Sequence, residues 1–101
     1  MKHLSLDEKY SLIRKACCDP YYSYQGKPAS VGIHNFGLLQ EIATALGMSG
    51  NTGMNLRSVN ARITKIMRDL IEAEYPIRES RIKCCSWSPR ETWHPAFFWK
   101  E

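Results

Sequence analysis

The clearest pattern of apolar and polar positions in the chain lies between Leu56 and Leu70. At about 100° per residue, one arc of a helix collects the apolar residues Leu56, Val59, Ile63, Ile66, Met67 and Leu70. The opposite face holds Arg57, Ser58, Ala61, Arg62, Lys65, Arg68 and Asp69. The spacing predicts a helix over 56–74, stopped before Pro76, that buries one face and presents cations on the other.

Two earlier segments also have helical spacing. The first carries apolar residues at intervals of three or four positions, at Leu6, Tyr10, Ile13 and Cys17. Ser5 and Glu8 fit a capping box at its start. The second segment follows Asn35, a residue type that caps helix N-termini. We predict helices over 6–18 and 36–46.

After Pro76 the periodicity changes from that of a helix to that of strands. The segment 77–87 is rich in β-branched, aromatic and cysteine residues, and 92–100 is a second strand candidate beyond a turn. Together they predict a β-hairpin over 77–99, and Ser30–Ile33 is a candidate for one further short strand. The predicted fold class is therefore mainly α with a small β-hairpin, an α+β domain.

Length and composition place the chain among ordinary soluble proteins. Its 101 residues suit one domain, and 44% of them are hydrophobic and 24% charged. No apolar run approaches the roughly 20 residues of a membrane span, and the N-terminus turns acidic at Asp7 and Glu8, unlike a signal peptide. We therefore expect a cytoplasmic protein without membrane contact. The net charge of +4 is modest, so the position of the charges matters more than their sum.

The four cysteines form two adjacent pairs, Cys17-Cys18 and Cys84-Cys85. Adjacent thiols lack the C-x2-C spacing of common zinc sites, and a disulfide does not usually persist in a reducing cytosol. We predict that one cysteine of each pair lies in the core and the other nearer the surface. Two alternatives stay open: a zinc ion held by both pairs with His34 or His94, and a cross-link between the pairs.

Two groups of aromatic residues have more than one interpretation. Tyr21, Tyr22 and Tyr24 lie in the connector after the first helix, where they either cover the open side of a small core or form a stacking or partner-binding surface. The hairpin carries Trp87, Trp93, Phe97, Phe98 and Trp99. One face of the hairpin should pack on the helices, and the other either joins the core or contacts a dimer or partner.

The sequence offers little for catalysis. His3, His34 and His94 lie in unrelated settings, and no serine or cysteine is placed beside a histidine and an acid in a recognisable motif. The segment Gly50–Gly53 lacks the lysine of a phosphate-binding loop. We expect neither enzymatic activity nor a cofactor.

Three segments resemble the winged helix-turn-helix class. Ile42–Ser49 (Ile-Ala-x-x-Leu-Gly-x-Ser) resembles the first half of the helix-turn-helix pattern. Ala61–Leu70 followed by Tyr75–Ile77 is similar to small phage-type domains, in which a recognition helix of A-R-I-x-x-L type runs into G-Y-P-I and then a wing. The resemblance covers about Phe36 to Trp99, although Glu74 stands where that pattern has its glycine. It implies a three-helix winged helix-turn-helix domain, and a transcriptional regulator of a phage or mobile element.

On this interpretation the helix over 56–70 and the wing read duplex DNA. Short or planar polar groups near the start of the helix suit base edges, and long cations farther along suit phosphates. The candidate contacts on and before the helix are Asn55, Arg57, Ser58, Ala61, Arg62, Lys65 and Arg68. The candidates on the wing are Arg78, Arg81, Lys83 and Arg90.

Two other functions use the same scaffold. One is a protein-binding module, such as a phage-encoded inhibitor of a host or defence complex, that binds its partner through the three tyrosines or the aromatic hairpin. The other is an RNA or single-strand binder that stacks bases on exposed tyrosines. We expect either a monomer or a homodimer. Helix-turn-helix proteins often bind with two-fold symmetry, but this sequence shows no additional segment with heptad-like spacing to supply a dimer helix.

Overall fold

The structure, a computed structural model, describes residues 4–48, 56–84 and 92–100. It contains three helices, α1 (Leu6–Cys17), α2 (Phe36–Ala45) and α3 (Leu56–Glu72). Three strands, β1 (Val31–Gly32), β2 (Ile77–Cys84) and β3 (Thr92–Trp99), form an antiparallel sheet in the order β1-β3-β2. The predicted α+β class is confirmed, including the hairpin and the short strand near Val31.

The sheet order makes β3 the central strand. Phe97 lies opposite Val31 on one side and opposite Glu79 on the other, and Ala96 lies opposite Gly32 and Ser80. Although β1 contains only two residues, it fixes the connector between α1 and α2 to the hairpin. The chain segments 31–32 and 92–99, far apart in sequence, therefore form one structural unit.

The core lies where the three helices meet one face of the sheet. Its fully buried residues come from every element: Ile13, Cys17, Val31, Leu38, Leu39, Ile42, Ile63, Met67, Leu70, Ile77 and Phe97. The predicted apolar stripe of α3 supplies three of these residues, and Val59 of the same stripe is also buried. Ile66, the remaining stripe residue that is described, is only partly buried at the edge of the core.

Helix α1 begins with the predicted capping box. The Glu8 amide donates to Ser5 Oγ at 3.2 Å, and the Ser5 amide donates to Glu8 Oε1 at 3.1 Å. The three helices end at Cys17, Ala45 and Glu72, slightly before the predicted ends at 18, 46 and 74. Such differences are ordinary at helix termini, where the final turn loosens.

Helices α2 and α3 end in the same hydrogen-bonded motif. After α2, the Met48 amide donates to the Ala43 carbonyl at 2.8 Å and the Gly47 amide donates to Thr44 at 3.0 Å. After α3, the Tyr75 amide donates to Leu70 at 3.0 Å and the Glu74 amide donates to Ile71 at 2.9 Å. Both pairs form a Schellman motif, which needs a left-handed residue just past the helix.

That left-handed residue is Gly47 (φ 77°) after α2 and Glu74 (φ 68°) after α3. Glu74 is the position at which the phage-type pattern has glycine. The backbone at Glu74 therefore has a conformation that glycine adopts without a steric penalty. A non-glycine residue in this region carries strain of about 1 kcal/mol or more.

Exchanging the residues at these two helix ends should change stability in opposite directions. We expect Gly47→Ala to lower the free energy of unfolding by about 1 kcal/mol, because space is open around its Cβ position and only the backbone conformation resists. Glu74→Gly should raise the free energy of unfolding by about 0.5 to 1 kcal/mol. Urea denaturation measures both changes. Ala73→Gly is the matched control. It adds the entropic cost of glycine at the neighbouring position without removing the strain of a left-handed residue. A gain in stability in that variant would contradict the explanation.

Tyr75, just after α3, contacts two residues of α1. The ring of Tyr75 packs against Tyr10 with centroids 4.8 Å apart, and its hydroxyl donates to the carboxylate of Asp7. These contacts fix where the chain leaves α3 and enters β2, and so they set the position of the hairpin.

The first cysteine pair follows the predicted division. Cys17 is buried, and Cys18 is exposed. Burial raises the pKa of the Cys17 thiol to about 12, although a hydrogen bond with Trp99 acts in the opposite direction. Cys17 is therefore a packing residue with little thiolate at neutral pH. The side chains of Cys84 and Cys85 lie outside the described residues.

Candidate nucleic-acid interface

The rotation of α3 is fixed by its buried stripe. Val59, Ile63, Met67 and Leu70 point into the core. The residues on the opposite face, Arg57, Ser58, Ala61, Arg62, Lys65 and Arg68, are all exposed. The sequence therefore correctly placed these six candidate contacts at the surface, on one continuous side of one helix.

The C-terminal part of this face is occupied by an ion pair. Arg68 Nε donates to Glu79 Oε1 at 3.1 Å, and Arg68 Nη2 donates to Glu79 Oε2 at 2.9 Å. The hydrogen bonds from Arg68 hold the pKa of Glu79 below its ordinary value, and the pKa of Arg68 is raised in turn. Arg68, a predicted phosphate contact, joins α3 to β2 through this pair.

A second, looser pair lies one turn earlier. Lys65 Nζ is 3.4 Å from Asp69 Oδ2, at the i,i+4 spacing. The Lys65 side chain is 78% exposed, so this pair contributes little to stability and leaves the lysine accessible. Asp69 and Glu79 together place two carboxylates at the C-terminal half of α3. Arg57, Arg62 and Lys65 are the exposed cations of the helix that precede this region.

The hairpin divides its cations between two faces. In the β2–β3 register, Glu79, Arg81 and Lys83 alternate with residues that point the other way. Because Glu79 reaches Arg68, this face is the one turned toward α3. Arg78 belongs to the opposite face, where its guanidinium lies 5.0 Å from the ring centroid of Phe98. Of the predicted hairpin contacts that are described, only Arg81 and Lys83 share a side with α3.

A groove of about 460 Å³ runs between the exposed face of α3 and the hairpin. Its lining consists of Asn60, Ala61, Thr64, Lys65, Arg68, Asp69 and Pro95. Pro95 lies opposite Arg81 in the strand register, so the groove connects the helix face to the cationic side of the hairpin. The sequence did not indicate Asn60, Thr64 or Pro95 as site residues, because that requires the position of the hairpin.

Trp93 is a further surface residue on this side of the hairpin. It lies opposite Lys83 in the register and is 58% exposed. The sequence grouped it with the aromatic residues that either join the core or contact a partner, and it belongs to the exposed ones. Two other predicted DNA contacts, Asn55 and Arg90, lie outside the described residues.

The tyrosine connector forms a separate surface. Tyr22 is partly buried against the core, whereas Tyr21 and Tyr24 are 86% and 74% exposed. Tyr24 and Lys27 close a tight turn by exchanging backbone hydrogen bonds at 3.1 and 2.9 Å. Only one of the three tyrosines therefore covers the core, and the other two are held at the surface by ordered backbone.

The comparisons with known proteins add no relative to this description. No protein-family model, curated protein or solved structure matches the chain. Within the described ranges, no helix is long and apolar enough to cross a membrane. In the same ranges, no three histidine, cysteine, aspartate or glutamate side chains are grouped so that they could hold a metal ion.

Proposed function

We propose that the chain is a winged helix-turn-helix protein that binds duplex DNA through α3 and the hairpin, as a transcriptional regulator of a phage or mobile element. The observation that carries this proposal is the exposed cationic face of α3, together with Arg81 and Lys83 on the side of the hairpin that is turned toward that helix. The order of elements, with a short strand between the first two helices and a hairpin after the third, supports the same assignment.

The charge distribution supports one orientation on DNA. Recognition helices of this class read base edges with their N-terminal residues. In α3 that part holds Arg57, Ser58 and Arg62, with the small Ala61 between them to allow close approach. The carboxylates of Asp69 and Glu79 lie at the other end, where they would repel phosphates. The first half of α3 is thus the part that enters the groove of the duplex.

In this orientation Lys65, Arg81 and Lys83 contact the flanking phosphates. All three side chains are exposed, and the two hairpin residues share one face of β2. Phosphate contacts fix register and orientation, whereas the residues near the start of α3 supply sequence preference. About three phosphate contacts predict a log–log dependence of affinity on salt with a slope of about −2.7.

The pair between Arg68 and Glu79 allows a direct test of this proposal. We expect Glu79→Gln to increase duplex affinity by about three- to tenfold at roughly 0.1 M salt, because it frees Arg68 and removes a negative charge beside the duplex. The salt dependence should become steeper by about 0.9, the value for one additional neutralised phosphate. A fluorescence anisotropy titration of labelled duplex DNA at several salt concentrations measures both quantities.

The control variant is Glu41→Gln, which makes the same change in net charge at an exposed position on α2. It should alter affinity much less and leave the salt slope unchanged. Equal gains in both variants would mean that only overall charge matters, and no duplex binding by any of the proteins would overturn the proposal. Tighter binding to single strands than to duplex would favour the single-strand alternative.

A protein-binding module remains the second candidate function, and the exposure of Tyr21 and Tyr24 favours it. Tyrosines fixed at a surface provide large contact areas at low entropic cost. A stoichiometric protein complex that is abolished in a Tyr21→Ser, Tyr24→Ser double variant would support this function. Retention of that complex in the double variant would exclude the tyrosine surface as its site.

A further inference from the structure

A second groove lies on the other flank of α3, away from the hairpin. Its volume is about 300 Å³, and it is bounded by the start of α1, the residues that follow α2, and α3 itself. The lining consists of Leu4, Lys9, Leu46, Met48, Arg62, Lys65 and Ile66. Neither the predicted DNA contacts nor the tyrosine surface accounts for this combination of residues.

The floor of the groove is apolar and structurally fixed. It is formed by three partly exposed residues that pack against the core, Leu46, Met48 and Ile66. Met48 is held by the Schellman motif, in which the residue after the left-handed glycine normally packs back on the helix. The motif explains why Met48 is apolar, but it does not explain why Ile66 and Leu4 extend the same patch.

The charged residues that the structure describes in this lining are all basic. Lys9, Arg62 and Lys65 surround the apolar floor, and Lys65 also pairs with Asp69, which is not among the described lining residues. An apolar floor offers a phosphate backbone no polar partner, and a basic peptide would be repelled. The chemistry that fits is a peptide with apolar anchors flanked by carboxylates, as in helix-in-groove recognition.

We propose that this groove binds a short acidic, amphipathic segment of a partner protein, with apolar side chains on Leu46, Met48 and Ile66 and carboxylates on Lys9, Arg62 and Lys65. Arg62 and Lys65 also belong to the proposed DNA-binding face. If the proposed function holds, the acidic segment competes with DNA for those two cations and releases the protein from its site. Peptide binding itself does not depend on the proposed function.

The probe is a fluorescein-labelled peptide of about fourteen residues, with leucine at i, i+3, i+4 and i+7 and glutamate at most other positions. Fluorescence anisotropy with the full chain measures its affinity. A peptide of the same design with lysine in place of glutamate tests the charge requirement, and a peptide of scrambled order tests the spacing of the leucines. We expect the acidic, ordered peptide to bind at least about tenfold more tightly than either control.

Two charge reversals on α1 locate the site. Lys9→Glu should weaken peptide binding by about tenfold, whereas Lys15→Glu, the same change at an exposed position outside the groove, should leave it nearly unchanged. Ile66→Gln should weaken it as well, and circular dichroism verifies that each variant is folded. Equal effects of Lys9→Glu and Lys15→Glu, or equal affinity for the acidic and basic peptides, would overturn the proposal, as would no binding at all.

The competition with DNA is measured separately. Acidic peptide at a concentration near its dissociation constant for the parent chain should release labelled duplex from that chain and release several-fold less from the Lys9→Glu variant. Arg57→Ala should weaken duplex binding without changing peptide affinity, because Arg57 is not part of the groove. Peptide binding in a protein that never binds duplex would refute the proposed function and leave the groove assignment standing.

Discussion

Replacing Arg57, Arg62 and Lys65 together with alanine is expected to weaken duplex DNA binding by about a hundredfold or more at roughly 0.1 M salt. Each of these cations supplies about 1 to 3 kcal/mol when it contacts a base edge or a phosphate, so removing three of them exceeds the 2.8 kcal/mol or so that a hundredfold change requires. The slope of log affinity against log salt should fall by about 0.9 for each phosphate that the variant leaves unneutralised.

The fold should tolerate this triple substitution. All three side chains are exposed on α3, and alanine is the strongest helix former. The pair that joins α3 to the hairpin, Arg68 with Glu79, is untouched. A thermal denaturation curve close to that of the parent chain verifies that any decrease in binding comes from the surface and not from unfolding.

The matched control removes three positive charges elsewhere. Lys15, Lys27 and Lys100 are exposed and lie outside α3, so their triple alanine variant has the same net charge as the test protein. It should keep most of the duplex affinity. If the two triple variants bind equally well, binding reflects overall charge alone, and α3 is not the recognition helix.

The sequence predicted the orientation of α3 because helical periodicity is a local property. The apolar stripe and the cationic face are both visible within one segment, so burial of Val59, Ile63 and Leu70 follows from spacing alone. The same holds for the capping box at Ser5 and Glu8. Each of these features depends on residues no more than a few turns apart.

The sequence could not predict how the exposed charges pair across elements. Arg68 and Glu79 are separated by the end of α3 and the bend into β2, and either residue looks like a solvated charge in the sequence. Their pairing occupies a cation that was predicted to bind phosphate, and it places a carboxylate near the groove. The left-handed conformation of Glu74 was hidden for a similar reason, because its side chain gives no local signal for that conformation.

The division of the hairpin into two faces needed the strand register. Arg78 and Arg81 look equivalent in the sequence. They lie three positions apart on β2, and because side chains alternate along a strand, they point to opposite faces. Which of those faces meets the helices is decided by the partners of Phe97 and Glu79, and by the short strand β1 that pairs with β3. The groove lined by Pro95 exists only because of that arrangement.

The largest expected effect on stability comes from Phe97, which lies on the central strand and is the largest fully buried side chain among the described residues. Phe97→Ala should lower the free energy of unfolding by about 3 to 5 kcal/mol, since it removes a whole aromatic ring from a close-packed core. A domain of this size is stable by only about 5 to 15 kcal/mol. The variant should therefore lose a large part of its stability, which urea denaturation measures, and near-UV circular dichroism reports whether its tertiary packing is retained.

The neighbouring residue provides the control, because adjacent residues of a strand point to opposite faces. Phe98 is partly exposed on the far side of β3, where it contacts the guanidinium of Arg78. Phe98→Ala should cost about 1 kcal/mol, since less apolar surface is buried there. Similar destabilisation in the two variants would mean that the core does not lie on the Phe97 face. That outcome would also remove the basis for placing Arg81 and Lys83 beside α3, since both are assigned to that face by the register.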